Sequence, residues 1–244
     1  RHNEAVRRKR LTSETVAAEI VGPYRRAKRR LLLFDYDGTL APIRSRPEEA
    51  VPSHRLCELL RTLGTDAANR VVICSGRDSG TLEKWFGGLP VSLAAEHGAF
   101  YKDRGAWRCN IRPASWDPKL SALLEHFARK TPRSRIERKQ TALAWHYREA
   151  DSWLGQLRAQ QLVNALMPLC ARLNLHILQG DKVVEIKSPR FTKGSETLRL
   201  LRQERYDFIL ALGDDTTDDD MFAALPPRAL SIKIGNASEH ARYN

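Results

Sequence analysis

The run Leu31-Leu32-Leu33-Phe34-Asp35-Tyr36-Asp37-Gly38-Thr39-Leu40 decides the fold: four apolar residues empty into two carboxylates that flank a single residue. In an open parallel sheet the ligand crevice lies at the carboxyl ends of the strands, so a strand ending this way puts Asp35 and Asp37 where chemistry happens. Gly38 lets the backbone turn tightly behind them. A carboxylate is a competent nucleophile toward phosphorus once a divalent cation screens the repulsion between two anions. A second carboxylate two residues on can protonate the leaving alkoxide and then deprotonate the attacking water. The competing reading of the motif alone is a solvated pair of aspartates in a turn.

Outward from this run, short apolar stretches alternate with amphipathic ones, the pattern of βαβ units on a parallel sheet. Strands are expected at Leu31 to Phe34, Val71 to Cys74, Val91 to Ala95, Phe208 to Leu212 and Leu230 to Ile234. Ser53 can cap a helix whose Leu56, Leu59, Leu60 and Leu63 share one face. The middle of the chain reads differently. Helices at Asp117 to Lys130 and Asp151 to Leu173 sit among strands such as Leu143 to Tyr147, Leu175 to Leu178 and Val183 to Ile186. That αββαββ alternation suggests a small α+β module inserted into an α/β fold, in the position of a lid.

A second acidic cluster follows another apolar strand, in Gly213-Asp214-Asp215-Thr216-Thr217-Asp218-Asp219-Asp220-Met221-Phe222. Carboxylates so crowded repel one another unless a cation sits among them, and hard oxygen ligands suit Mg²⁺. Asp214 is the expected ligand, with Asp215 and Asp218 in support; Asp218 is also a candidate helix cap, and Asp219 and Asp220 are expected to face solvent. Two further places can touch phosphate. Ser75-Gly76-Arg77 ends a strand with a hydroxyl and nearby backbone N–H groups, and Thr192-Lys193-Gly194 opens a helix with a lysine able to neutralise phosphoryl charge and steady Asp35.

With 244 residues and 42% hydrophobic content, the chain has room for one sizeable core or a core with an insertion. Its formal charge of +12 is concentrated: ten basic residues against three glutamates between positions 1 and 30 carry +7 of it. Such a run is the composition of a solvated helix face or a linker, and no nucleic-acid-binding signature accompanies it. No apolar run is long enough for a bilayer, and the basic, polar N-terminus is unlike a secretory leader, so the expectation is a cytoplasmic chain with no nucleic-acid or membrane partner. Cys57, Cys74, Cys109 and Cys170 lack metal-ligand spacing and are expected as free, mostly buried thiols. Trp107, Trp116, Trp145 and Trp153 offer rings for stacking on a sugar, although packing is the commoner role.

Taken in order, DYDGT at Asp35, Ser75, Lys193 and GDDTTDDDMF at Gly213 resemble the four motifs of the haloacid dehalogenase superfamily of phosphatases, and within it the trehalose-6-phosphate phosphatase family. The segments Ala95 to Phe100 and Val184 to Lys187 add to the resemblance, which runs from about Leu31 to the end. It implies a Rossmann-like core over 31–105 and 188–244 with an α+β cap over 106–187. It also implies Asp35 as nucleophile, Asp37 as general acid and base, and Ser75 and Lys193 holding the phosphoryl group beside Gly76 and Arg77. Mg²⁺ would be bound by Asp35, the main-chain carbonyl of Asp37 and Asp214, with Asp215 or Asp218 in support. A phosphorylated disaccharide is the implied substrate, with contacts expected from Glu96, His97, Lys139, His146, Lys182 and Glu185. The helical spacing of Val16, Ile20 and Tyr24 in the basic leader resembles the junction that follows a trehalose-6-phosphate synthase domain. Another capped sugar phosphatase, or a catalytically silent domain that binds a sugar phosphate, is the alternative reading.

Overall fold

Strand β1, Arg30–Phe34, buries every residue after its first, as a strand covered on both faces must. Its neighbours explain why. In the structure, a computed structural model describing residues 11–109, 116–188 and 190–244, β1 pairs in parallel with β2, Asn69–Cys74, on one side and with β10, Phe208–Gly213, on the other. The described residues form a seven-stranded sheet in the order β11-β10-β1-β2-β3-β4-β5, with β3 at Ser92–Ala95, β4 at Phe100–Lys102, β5 at Arg108–Cys109 and β11 at Leu230–Lys233. β4 and β5 extend it antiparallel. β1 therefore sits near the middle, and Asp35 leaves its carboxyl end beside the end of β10.

The chain divides into two compact units, 1–110 with 191–244, and 111–190. In the first, α3 at His54–Thr65 starts at Ser53, whose side chain accepts the Leu56 N–H, and buries Leu56 and Leu60 while Leu59 stays exposed. α4, Ser79–Phe86, starts two residues past Arg77, with Asp78 between them as its cap. α7, Lys193–Gln203, and α8, Thr216–Ala223, both open with capping boxes. Leu31, Leu33, Val72, Cys74, Leu200, Ile209 and Met221 make the core. The described part of the leader is helical from 13 to 26: α1 at Ser13–Thr15, a π-helical turn at Val16–Val21, then α2 at Gly22–Arg26. It is docked: Glu19 takes Tyr243 Oη and Arg242, and the Tyr24 ring meets Phe208 edge-on at 5.6 Å. The basic residues of 1–10 lie outside the described residues.

The second unit is a four-stranded antiparallel sheet, order β6-β7-β9-β8, formed by Arg135–Arg138, Ala142–His146, Val183–Lys187 and His176–Gly180. Two helices, α5 at Pro118–Arg129 and α6 at Ser152–Leu173, cover one face, with Leu120, Leu124, Leu143, Trp145, Leu162, Val184 and Ile186 packed between. Trp145 is thus a core residue, its Nε1–H donated to Ser134 Oγ at 3.1 Å. No disulfide joins the cysteines; Cys74 and Cys170 are buried, Cys57 is half-buried and Cys109 is exposed, so only two of the four free thiols are buried. No described helix is long and apolar enough to cross a membrane.

Candidate active site

Asp35 is the first residue past β1, and its N–H still bonds to the Leu212 carbonyl at 3.0 Å, so sheet pairing fixes the backbone from which its carboxylate projects. Tyr36 anchors the next step: it is fully buried and donates its hydroxyl to the Ala50 carbonyl at 2.5 Å. Gly38 then turns the chain with φ of 83°, and a Cβ there would collide with the Asp214 carboxylate. The turn brings Thr39 back over the strand end. Its hydroxyl lies 3.1 Å from Asp35 Oδ2 and 3.4 Å from Asp214 Oδ1, bridging two acids with a single proton. Thr39 was not among the residues singled out from sequence, although its place four residues after Asp35, beyond a glycine turn, is a signal that it folds back.

Lys193, the first residue of α7, is buried and salt-bridges Asp35 Oδ1 at 2.5 Å and Asp218 Oδ1 at 2.6 Å. Burial alone would lower its ammonium, but the charges of Asp35 and Asp218 outweigh that and hold it well above its ordinary value. Burial pushes the Asp35 carboxyl well up; Lys193 opposes the rise, while Asp218 and Asp214 add to it. Burial likewise raises Asp214. Crowding of like charge adds to burial: Asp35, Asp214 and Asp218 offer oxygens all within 4.8 Å of one another around a single lysine. That donor set, all carboxylate and partly desolvated, fits a hard divalent cation such as Mg²⁺.

The acidic cluster is sorted by its helix. Asp215 is the N-cap of α8 and gives Oδ1 to the Thr216 N–H and hydroxyl. Asp218, expected as a cap or first-turn residue, is the buried third residue of the helix and completes its capping box: its Oδ2 accepts the N–H groups of Asp214 and Asp215 at 3.0 Å each while Oδ1 holds Lys193. Asp219 does not simply face solvent, because Lys233 Nζ at 3.1 Å and Ser238 Oγ at 2.6 Å both reach it; Asp220 is exposed.

Ser75 lies just past β2, buried, with its Oγ accepting the Arg77 N–H at 3.2 Å and its own proton left to donate. Arg77 clamps Asp37 through two bonds and lies over the Trp85 ring at 4.6 Å. Glu96 and His97, both buried, follow β3 in left-handed conformations, with φ of 47° and 60°. Their N–H groups bond to the carbonyls of Arg77 and Ser75, and the His97 ring packs over Gly76. The structure thus gathers Asp35, Ser75, Gly76, Arg77, Glu96, His97 and Asp214 at neighbouring strand ends, with Lys193 at the start of α7.

In the cap unit, the sheet face away from α5 and α6 carries Lys139, His146 and Glu185. Lys139 Nζ is 3.2 Å from Glu185 and 3.9 Å from Glu137, and His146 Nε2 is 2.8 Å from Glu137. Glu137 was missed from sequence, yet strand period two places it on the face of its neighbours, opposite Ala144 and one strand from Glu185. Lys182 is not part of this group: at the β8–β9 turn, with φ of 61°, it reaches Ser152 Oγ at 3.2 Å and lies over Tyr147.

The sequence pattern of the Trehalose-phosphatase family matches residues 33–242. A curated trehalose-phosphatase of Zygosaccharomyces rouxii is 43% identical over 228 residues, which cover 83% of this chain and 25% of that protein. A bifunctional trehalose-6-phosphate synthase/phosphatase of Thermoproteus tenax is 39% identical over 237 residues, covering 96% of this chain and 32% of its own length. The chain therefore spans about a quarter to a third of these relatives. Among solved structures, the C-terminal domain of C. albicans trehalose-6-phosphate phosphatase superposes with a TM-score of 0.84 at 35% identity, covering 91% of this chain and 89% of that one.

Proposed function

The chain belongs to the trehalose-phosphatase family, and from that premise we propose that it hydrolyses trehalose 6-phosphate to trehalose and inorganic phosphate through an aspartyl-phosphate on Asp35. The observation that carries the reading is the buried Asp35 carboxylate, paired at 2.5 Å with Lys193 and followed two residues later by Asp37. Asp35 attacks phosphorus, the bond from phosphorus to the sugar oxygen breaks, and Asp37, carrying a proton on an oxygen released from Arg77, gives it to that sugar oxygen. Water then attacks the acyl phosphate while Asp37 takes its proton, releasing phosphate and restoring Asp35. Lys193 and Ser75 hold the phosphoryl oxygens, the lysine by charge and the serine by its free proton.

Asp35 and Asp214, with the main-chain carbonyl of Asp37, are the residues that would hold Mg²⁺; bound there, the ion supplies the positive charge that lets one anion approach another. Asp218 acts by orienting Lys193 and the Asp214 backbone, since protein donors engage both its oxygens. The cap group of Glu137, Lys139, His146 and Glu185 suits sugar hydroxyls, each member able to give or take a hydrogen bond. The test is phosphate release from trehalose 6-phosphate, sucrose 6-phosphate and glucose 6-phosphate, each with Mg²⁺ and with EDTA, beside Asp35→Asn. Preference for trehalose 6-phosphate that disappears with EDTA and with the substitution is the expected result. Equal turnover of all three would overturn the substrate, and activity in Asp35→Asn would overturn the nucleophile.

A further inference from the structure

We infer that Arg199, gripping Glu196 and Asp103, is a positioning residue that sets the distance between Lys193 and the turn beneath Ser75. The inference rests on the phosphatase reading for its chemistry but on other residues for its geometry. Glu96, His97 and Gly98 adopt positive φ in succession, at 47°, 60° and 98°. Side-chain-bearing residues populate that region sparsely and stay there only when their surroundings hold them. One side of the turn is held by the bonds from Glu96 N–H to the Arg77 carbonyl and from His97 N–H to the Ser75 carbonyl, each 2.9 Å. The other side is Glu196, one turn after Lys193 on α7. Its Cβ stands 2.7 Å from where a Cβ on Gly98 would lie.

Glu196 is buried, and its carboxylate is fixed by Arg199 through bonds of 2.6 Å and 2.8 Å. Arg199 then reaches across to Asp103, at 3.0 Å and 3.2 Å, with its guanidinium 3.8 Å from the centre of the Tyr101 ring. Asp103 also takes Arg70 of β2 at 2.7 Å. The hairpin that begins at the 96–98 turn is thereby tied to α7 at its near end by packing and at its far end by charge. A slide of α7 along its axis would move Lys193 against Asp35 and the turn against Ser75 together. Ion clusters of this kind are weak sources of stability because desolvation offsets their attraction, and a geometric role is the better account of one placed between two groups that hold phosphate.

The test compares Arg199→Gln and Asp103→Asn with the wild type, using calorimetric binding of inorganic phosphate in Mg²⁺ and steady-state turnover of trehalose 6-phosphate. Asp103→Asn is the milder change and serves if Arg199→Gln fails to fold. Expected in a folded variant is phosphate affinity weakened about tenfold and kcat lowered by at least about tenfold, since small misplacements of a reacting group cost that much or more. A folded variant that kept both phosphate affinity and kcat within about twofold would overturn the inference, whatever its melting temperature. A wild type that bound phosphate but released none from trehalose 6-phosphate would sink the functional reading, and the affinity comparison would still decide the role of Arg199.

Discussion

Arg77 engages both oxygens of Asp37, Nε to Oδ2 at 2.8 Å and an NH2 nitrogen to Oδ1 at 2.6 Å, so the proposed acid and base is held in a planar fork. The guanidinium is itself fixed over Trp85. Lysine carries the same charge but cannot supply two parallel bonds. Arg77→Lys and Arg77→Ala are therefore expected to lose roughly 10- to 100-fold in kcat/KM through misplacement of Asp37. The loss should be strongly non-additive. Arg77→Ala combined with Asp37→Asn is expected to be no worse than Asp37→Asn alone, because the first change acts through the second residue. Phosphate-release kinetics on the four proteins decide it: additive losses would mean that Arg77 acts independently of Asp37.

Lys193 neutralises two buried carboxylates at once, so removing it should cost more stability than removing either partner. Lys193→Met leaves Asp35 and Asp218 as uncompensated charges, and breaking a buried pair in that way costs about 3–5 kcal/mol. Asp35→Asn leaves Lys193 with Asp218 and is expected to change stability far less while abolishing turnover. Urea unfolding in EDTA, so that no cation substitutes for the lysine, measures both. Equal destabilisation by the two substitutions would contradict a charge-neutralising role for Lys193.

Gly38 has no room for a side chain, because a Cβ would displace the Asp214 carboxylate. If Asp35 and Asp214 hold Mg²⁺, saturating metal should raise the wild-type melting temperature by roughly 5–10 °C, the shift expected when free ligand is about 100-fold above its dissociation constant. Gly38→Ala and Asp214→Asn are both expected to abolish that rise, Gly38→Ala without touching a carboxylate. Thermal melts with Mg²⁺ and with EDTA read this without any assay of turnover. A full Mg²⁺ response in Asp214→Asn would place the metal elsewhere.

The sequence made the α/β class and the central strands legible because their apolar runs are bounded by polar turns, and β1, β2 and β10 fall within two residues of their expected ends. Five crowded aspartates were harder to separate. Which one faces Lys193, which caps α8 and which meets Lys233 depends on helix phase and on residues far along the chain. Glu137 escaped notice because β6, Arg-Ile-Glu-Arg, is too polar to stand out as a strand, and its partner strand alone reveals its face. Lys182 was expected beside Glu185 from the family resemblance alone; its place in the β8–β9 turn, with positive φ, sends it to Ser152 instead.

Glu137 gives the cap unit a dependence on pH. Burial would raise its carboxyl, but the hydrogen bond from His146 and the charge of Lys139 outweigh burial and hold it below its ordinary 4.5. A carboxylate whose folded value is depressed adds stability above its unfolded value and loses that contribution as pH falls through the folded one. The stability difference between wild type and Glu137→Gln should therefore be greatest near neutral pH, begin to shrink as pH falls toward the ordinary carboxylate value, and be lost once the folded carboxyl is protonated below it. Urea unfolding of both proteins across this range checks it. A difference that stayed constant from neutral pH to pH 3 would show that Glu137 contributes by packing rather than by charge.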